Sequence, residues 1–436
     1  MDGRGARLLL CLTVIVALLV IGVGCTLAAA TVEPDVSGEE VVVPDGVLRV
    51  GALGPFTGPS ESTGAEFRNA ATMAFDDVDW RIGDYEIELV WIDSQSDPEV
   101  AAVAYESAIL EEGIQAAILN WHSSVAVECM EVAAQYQIPH IFPYGATEVV
   151  NEKFLSDPDR YGYWVNKGWP ISAKLTASYV AAIEEAISSG LWSPSQRTLA
   201  ICAEDTHWGR SFGEAIRRQF EAEGWTTIAE DYVPLDAVEF LPTLNRYHAQ
   251  DVSLLAATTT SMPSFAALIN QAQEIGLEAM IIADGLGWGG EWHQLTGEAS
   301  DYAIDQIPGW ATADGLEFAE SYRARWGSEP SPSAAGLAYD GTSMFIEIAQ
   351  QALVEYGELT SETIYGWASD NLQSGEWSYT RGIVMEEYKY TPETLPDPVV
   401  GEGYYMFPVR QYFDGEGKII YPPDWAEQRL TPKPTP

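Results

Sequence analysis

Short apolar runs alternate with helical segments along most of this chain, and that rhythm constrains the fold more than any other feature. Val47 to Gly54 reads as a strand, the region near Ala65 to Val78 as a helix, and Tyr85 to Ile92 as a strand. Asp97-Pro98 then caps a helix through Leu110. Ala116 to Leu119 is a further buried strand, followed by the polar turn Asn120-Trp121-His122-Ser123-Ser124 and a helix to Tyr136. Ile138 to Phe142 is the next short strand, running into Tyr144-Gly145-Ala146-Thr147. The pattern restarts near Ile171: helix to Ser188, strand Thr198 to Ala203, helix Gly209 to Glu223, strand Thr227 to Val233, short helix Leu241 to His248, strand Ser253 to Ala257, helix Pro263 to Ile275, strand Ala279 to Ala283. Strands alternating with helices call for parallel sheets, because a parallel return needs a crossover and a helix supplies one. The chain is therefore α/β, with two units of similar rhythm.

Later segments are less regular. Ile304 to Trp310 reads as a strand or crossover. Leu316 to Trp326, Ala334 to Tyr356 and Thr360 to Leu372 have helical spacing. Tyr379 to Tyr390 and Tyr404 to Phe413 are strand-like, and Asp414 to Gly417 turns into Lys418 to Tyr421.

In open α/β sheets the loops at the carboxyl ends of the strands form the ligand crevice. Ser123 or Ser124 falls at a helix N-cap, where free backbone N–H groups and the helix dipole favour an anion. Thr147 offers a hydroxyl from the next loop. Together they outline a carboxylate cradle; caps with no ligand would give the same residues. Gly285-Leu-Gly-Trp-Gly-Gly290 follows a strand and reads as a tight loop beside a ligand. Trp121 and Trp288 are candidates to line a pocket.

Charge excludes one class of partner. With 65 acidic and 22 basic residues the formal net charge is −43, so a phosphate backbone would be repelled and nucleic-acid binding is set aside. No phosphate loop, metal-binding His-Glu-x-x-His helix or nucleophile elbow is present, so the sequence supports neither an enzyme nor a metal or cofactor site. The five His are scattered.

The N-terminus reads as a targeting segment: Arg4 and Arg7 precede a mostly apolar run from Leu8 to Val23. Two processing points fit it. Ile21-Gly22-Val23-Gly24-Cys25 resembles a bacterial lipobox with Cys25 as the lipidated residue, and Ala28-Ala29-Ala30 would serve ordinary cleavage. Residues 25–46 read as a flexible tether. Cys129 and Cys202 read as small buried residues.

Leu48-Arg-Val-Gly-Ala-Leu-Gly-Pro-Phe-Thr-Gly-Pro59 resembles the opening strand and loop of the branched-chain amino-acid-binding proteins, the type I periplasmic solute-binding components of ABC importers. Asp93 to Val100, Ser123-Ser124, Gly145-Ala146-Thr147, Trp208-Gly209 and Tyr339-Asp340 fall at corresponding features, so the resemblance spans about Val47 to Tyr421. It implies a type I periplasmic-binding-protein fold: two parallel-sheet lobes joined by three crossovers. On that basis residues 1–24 are a signal peptide, 47–166 and 308–382 form lobe one, 167–307 and 383–430 form lobe two, and 431–436 are a tail. The crossovers fall near Val165 to Gly168, Gln306 to Trp310 and Arg381 to Glu387.

The resemblance also implies site roles. Ser123, with Ser124 beside it, is similar to the carboxylate-binding serine; Gly145 and Thr147 to the loop holding carboxylate and ammonium; Asp284 to the acid that holds the ammonium from lobe two. Trp208 stands at an aromatic position of lobe two. Thr63 and Ser261 stand where relatives often present an aromatic ring, and His122 and Ser96 where some have a disulfide. The implied function is capture of an amino acid or related solute for an ABC importer permease outside the cytoplasmic membrane, with a lipid anchor if Cys25 is modified. A binder of urea, short amides or other uncharged solutes is the alternative on the same fold, and a sensory ligand-binding domain the alternative of another class.

Overall fold

The computed structural model describes residues 46–310 and 312–434; the targeting segment, Cys25 and the tether lie outside them. The first unit runs β1 (Val47–Gly54), α1 (Glu61–Asp76), β2 (Arg81–Ile82), β3 (Tyr85–Asp93), α2 (Pro98–Leu110), β4 (Ala116–Ile118), α3 (Ser123–Tyr136), β5 (His140–Ile141), α4 (Glu148–Ser156) and α5 (Pro158–Tyr161). Its five strands are ordered β2-β3-β1-β4-β5. β1 lies parallel to both β3 and β4, β4 parallel to β5, and only the short β2 runs antiparallel. The central strand β1 is buried through most of its length, as a strand covered on both faces must be.

The second unit contains α6 (Ser172–Ser188), β6 (Thr198–Glu204), α7 (His207–Ala222), β7 (Thr226–Val233), α8 (Leu241–Ala249), β8 (Leu254–Thr258), α9 (Met262–Glu274), β9 (Met280–Asp284), α10 (Trp292–Thr296) and β10 (Ile304–Gln306). The chain then forms α11 (Ala313–Trp326), α12 (Leu337–Tyr356) and α13 (Ser361–Trp367), and α12 packs on α1 of the first unit. It next forms a two-stranded ladder, β11 (Ser378–Tyr379) with β12 (Tyr388–Lys389). It ends with β13 (Val409–Phe413) and β14 (Glu416–Tyr421). The second sheet has seven strands in the order β14-β13-β10-β9-β8-β6-β7. Its β6 to β10 pairings are parallel, and β13 and β14 add an antiparallel edge.

The expected α/β architecture of two parallel-sheet lobes is thus observed. Three segments differ from expectation. The strand expected over Tyr404 to Phe413 forms only from Val409. Tyr379 to Tyr390 is no continuous strand: only its ends pair, because the buried carboxylate of Asp340 takes the backbone N–H groups of Ile383 (2.7 Å) and Val384 (3.1 Å) and the Tyr388 hydroxyl (2.5 Å). Helix α13 gives way to a wider π turn over Ala368–Gln373. Cys129 in the first unit and Cys202 in the second are both free and buried, and burial pushes both thiols well above their ordinary pKa, Cys202 to about 12.

One buried polar cluster ties the linking segments together. Lys167 and Asp397 are fully inaccessible and sit 2.8 Å apart. Asp397 also meets Lys174 at 2.9 Å and the Ile171 N–H at 3.2 Å, and Lys167 donates to Asn151 at 2.7 Å. No helix among the described residues is long and apolar enough to cross a membrane.

Candidate aromatic ligand site between the lobes

The two lobes meet around a cavity at the strand ends. It is lined by Trp121, Ser123, Tyr144, Gly145 and Ala146 from the first lobe, Trp208, Thr260 and Trp288 from the second, and Trp169 from the segment joining them. Only about 20 Å³ of it admits the centre of a water-sized sphere. That is room for about one water, so the lobes as they stand here are closed down on one another and a solute enters only when they part.

Local backbone chemistry puts each ring in place. Asn120, just past β4, donates from its amide to the His122 carbonyl (3.1 Å) and the Tyr144 carbonyl (3.3 Å), and accepts the Tyr144 N–H on its own carbonyl (3.2 Å). That clamp fixes the Trp121 and Tyr144 loops side by side. Gly145 has φ +132°, and a side chain there would meet Ala126, so glycine lets the loop pass close over α3. Gly285 has φ +97°, and a Cβ would stand 2.5 Å from the Trp288 ring; glycine lets Trp288 fold back over β9. Asp305 secures that loop by accepting the N–H groups of Gly285 (2.8 Å) and Gly287 (2.7 Å). Trp208 donates its indole N–H to Thr258 at 2.9 Å. Buried Glu204 holds Thr260 through its N–H (2.6 Å) and hydroxyl (2.8 Å). The glycine-rich loop therefore lies beside the cavity, as the sequence suggested.

The rings meet at steep angles, edge against face, and pack directly on one another around the small space that remains. Trp288 lies 5.5 Å from Trp121 at 90°, 5.7 Å from Trp169 at 85° and 5.5 Å from Trp208 at 58°. Tyr144 lies 5.5 Å from Trp121 and 5.8 Å from Trp169. The indole N–H groups of Trp121 and Trp288 are buried without a protein partner. None of the lining residues carries a charge.

The lobes are joined by direct hydrogen bonds around the cavity. The Ser60 hydroxyl donates to the Thr260 carbonyl across the cleft (2.8 Å). Its single proton thus engaged, it accepts the Nε2–H of His122 at 3.0 Å. Burial drives the His122 pKa down to about 3, so the ring is neutral. Ser124 accepts the His207 N–H (3.2 Å), and the Thr147 and Ser211 hydroxyls meet at 3.0 Å. Glu66 on α1 accepts the Gly290 N–H of the second lobe at 3.1 Å.

Of the residues singled out from sequence, Ser123, Gly145, Trp121, Trp208 and Trp288 line the cavity, and Thr63, His122, Ser124, Thr147, Ser261 and Asp284 do not. Ser123 is the first helical residue of α3, with His122 in the cap position, so its hydroxyl is not spent as a cap. Thr147 caps α4 and faces Ser211. Ser124 and His122 serve the lobe-to-lobe contacts. Thr63 is buried within α1, and Ser261 precedes α9. Asp284 differs most from expectation. Its carboxyl accepts the Tyr179 hydroxyl at 2.6 Å, and burial, with Asp305 nearby, raises its pKa to about 8. A carboxyl turned to Tyr179 on α6, and absent from the cavity lining, is not placed to hold an ammonium there. Trp169, Tyr144 and Thr260 were not singled out. Trp169 stands one residue past the expected first crossover, which is the signal that could have found it.

Two lobes that close on a cavity built from both define a clamp for a small solute. The chain belongs to the periplasmic binding protein family, whose sequence pattern matches residues 47–383. The Leu/Ile/Val-binding protein homolog 8 of Brucella abortus (strain 2308) is 22% identical over 314 residues, 69% of this chain and 75% of that protein. Among solved structures, a putative branched-chain amino acid ABC transporter protein from Silicibacter pomeroyi superposes with TM-score 0.72 at 20% identity, covering 89% of this chain and 99% of its own. A solute-binding protein from Rhodopseudomonas palustris BisB5 in complex with 3,4-dihydroxybenzoic acid gives TM-score 0.68 at 19% identity, covering 86% and 95%. The substrate-binding protein from Streptococcus pneumoniae in complex with isoleucine gives 0.67 at 16% identity, covering 85% and 97%. The type I periplasmic-binding fold expected from the resemblance is thereby borne out.

Proposed function

We propose that this chain is an extracytoplasmic solute receptor that closes its lobes around one small solute and delivers it to an ABC importer. The observation that carries the reading is the shared cavity: Trp121 and Tyr144 face Trp208 and Trp288 across the cleft, with Trp169 at the join. Only a ligand touching both lobes can shift an open–closed equilibrium, since equal affinity for both states shifts nothing. Ser123, the free N–H groups at the start of α3 and the unpartnered indole N–H groups supply donors for a negative or carbonyl pole. The lobes bend about crossovers near Val165 to Gly168, Gln306 to Trp310 and Arg381 to Glu387. Cys25, if lipidated, holds the receptor at the membrane. Relatives that bind isoleucine or an aromatic acid on this fold make amino acids and aromatic acids the first solutes to try.

A thermal-shift and calorimetry screen over amino acids, short amides, aromatic acids and methylated ammonium compounds tests the reading. A solute that binds the folded state raises the melting temperature, and a Trp208→Ala variant loses that shift. A protein whose melting temperature no solute moves is not the receptor described.

A further inference from the structure

We propose that Trp288 is a built-in stand-in for the solute: its indole holds the centre of the site, and the solute binds by taking that place with a flat aromatic ring of its own. This rests on reading the cavity as the solute site. Trp288 is the ring around which the others pack. It meets Trp121 of the first lobe at 5.5 Å and 90°, Trp208 of its own lobe at 5.5 Å and 58°, and Trp169 of the joining segment at 5.7 Å and 85°. With that indole in place, about 20 Å³ is left for the centre of a water-sized sphere, room for about one water. A solute and the Trp288 ring cannot share this space, so each excludes the other.

Hydrogen bonding separates what is fixed in this loop from what is free to move. The backbone is held, because Asp305 accepts the N–H groups of Gly285 (2.8 Å) and Gly287 (2.7 Å). The side chain is not. Its indole N–H is buried with no protein partner among the described residues, whereas that of Trp208 is tied to Thr258 at 2.9 Å. Gly287 and Gly289 flank Trp288 and carry no side chain to bar its rotation. Parting of the lobes withdraws Trp121 and frees one side of the ring. Moving the ring out then exchanges a buried donor without a partner for a hydrated one, which favours displacement. The class of solute follows from what the indole already meets. Its neighbours are aromatic rings packed edge against face, an arrangement such rings prefer. A flat ring that replaces the indole recovers those contacts; a branched aliphatic side chain or a short amide does not.

Self-filling lowers the apparent affinity for the solute by the fraction of molecules left unfilled. Each aromatic contact of this kind favours the filled form by a few-fold, so three together reach at least about tenfold. The test is calorimetry on the intact protein and on Trp288→Ala, its fold checked by circular dichroism. Benzoate, phenylalanine and indole-3-acetate are the ring probes, with leucine and urea as controls. Saturable binding of a ring probe is expected, at least about tenfold tighter to Trp288→Ala than to wild type. An ordinary wall residue gives the opposite sign, because its loss only removes contacts. A second measurement uses the wild-type chain labelled with 5-fluorotryptophan. The Trp288 fluorine resonance, assigned from Trp288→Phe, is expected to gain the heavy-water isotope shift of a solvent-exposed ring when the probe saturates; if Trp288→Ala does not fold, this resonance alone decides. A ring probe that binds Trp288→Ala no more tightly than wild type, or a Trp288 resonance that stays buried at saturation, overturns the inference. If leucine or urea binds and no ring probe does, the receptor reading stands and the stand-in is refuted; if nothing binds either protein, both fall.

Discussion

Replacing Asp397 by Asn should be among the most damaging isosteric changes in this chain. Lys167 is fully inaccessible, and its ammonium rests on Asp397 at 2.8 Å and Asn151 at 2.7 Å. Burial lowers the Lys167 pKa, and Asp397 opposes that shift. Burial alone would raise the Asp397 carboxyl, yet Lys167 and Lys174 together hold it below the usual range. At 2.8 Å the ammonium and the carboxylate form an ion pair, and each favours the charged form of the other. Stranding one member of a buried pair costs about 3–5 kcal/mol. Asn keeps a carbonyl oxygen for Lys167, and Lys174 is partly exposed and can turn to water, which places the cost near the bottom of that range. About 3 kcal/mol is more than a hundredfold in the unfolding constant. Urea unfolding followed by circular dichroism would measure it for Asp397→Asn, Lys167→Met and the double variant. The double variant should recover at least half the loss, because no lone charge remains. A single-variant cost below about 1 kcal/mol, or a double variant no better than the worse single one, would refute the reasoning.

Two further outcomes follow from buried groups near the cleft. Asp284 has its folded pKa raised to about 8 by burial and by Asp305. The native state thus holds a proton that the unfolded chain releases near its ordinary value of about 4. Stability from this group is complete below that value and is lost as pH rises toward 8. The stability difference between wild type and Asp284→Asn should therefore drift against wild type across that window; a flat difference would contradict the protonated carboxyl. Ser60→Ala removes the hydroxyl that bridges His122 and the Thr260 carbonyl. Two buried polar groups then lack partners, and denaturant titration should show a loss of about 1–3 kcal/mol. Because the bond spans the cleft, solute affinity should weaken as well.

Periodicity made most of the fold legible. Strand β1 and the Asp97-capped α2 follow from apolar runs and a cap residue, signals carried by neighbours in sequence. The irregular path from Tyr379 to Tyr390 did not, because the buried carboxylate of Asp340, about forty positions away, takes its N–H groups. The site was half legible for the same reason. Ser123 and Gly145 sit at the expected strand ends. Asp284 also ends a strand at the cleft, but the direction of its side chain is decided by Tyr179, on a helix a hundred residues earlier. Trp169 gave no periodic signal, since it belongs to a linking segment. Its place beside the cavity comes from packing against Tyr144, Trp288 and Phe407.

The two sealed sulfurs, Cys129 in one lobe and Cys202 in the other, amount to a pair of natural stopwatches. A thiol-trapping reagent reaches each only when its own half of the molecule loosens. The halves can thus be timed separately within one chain, without adding any foreign label.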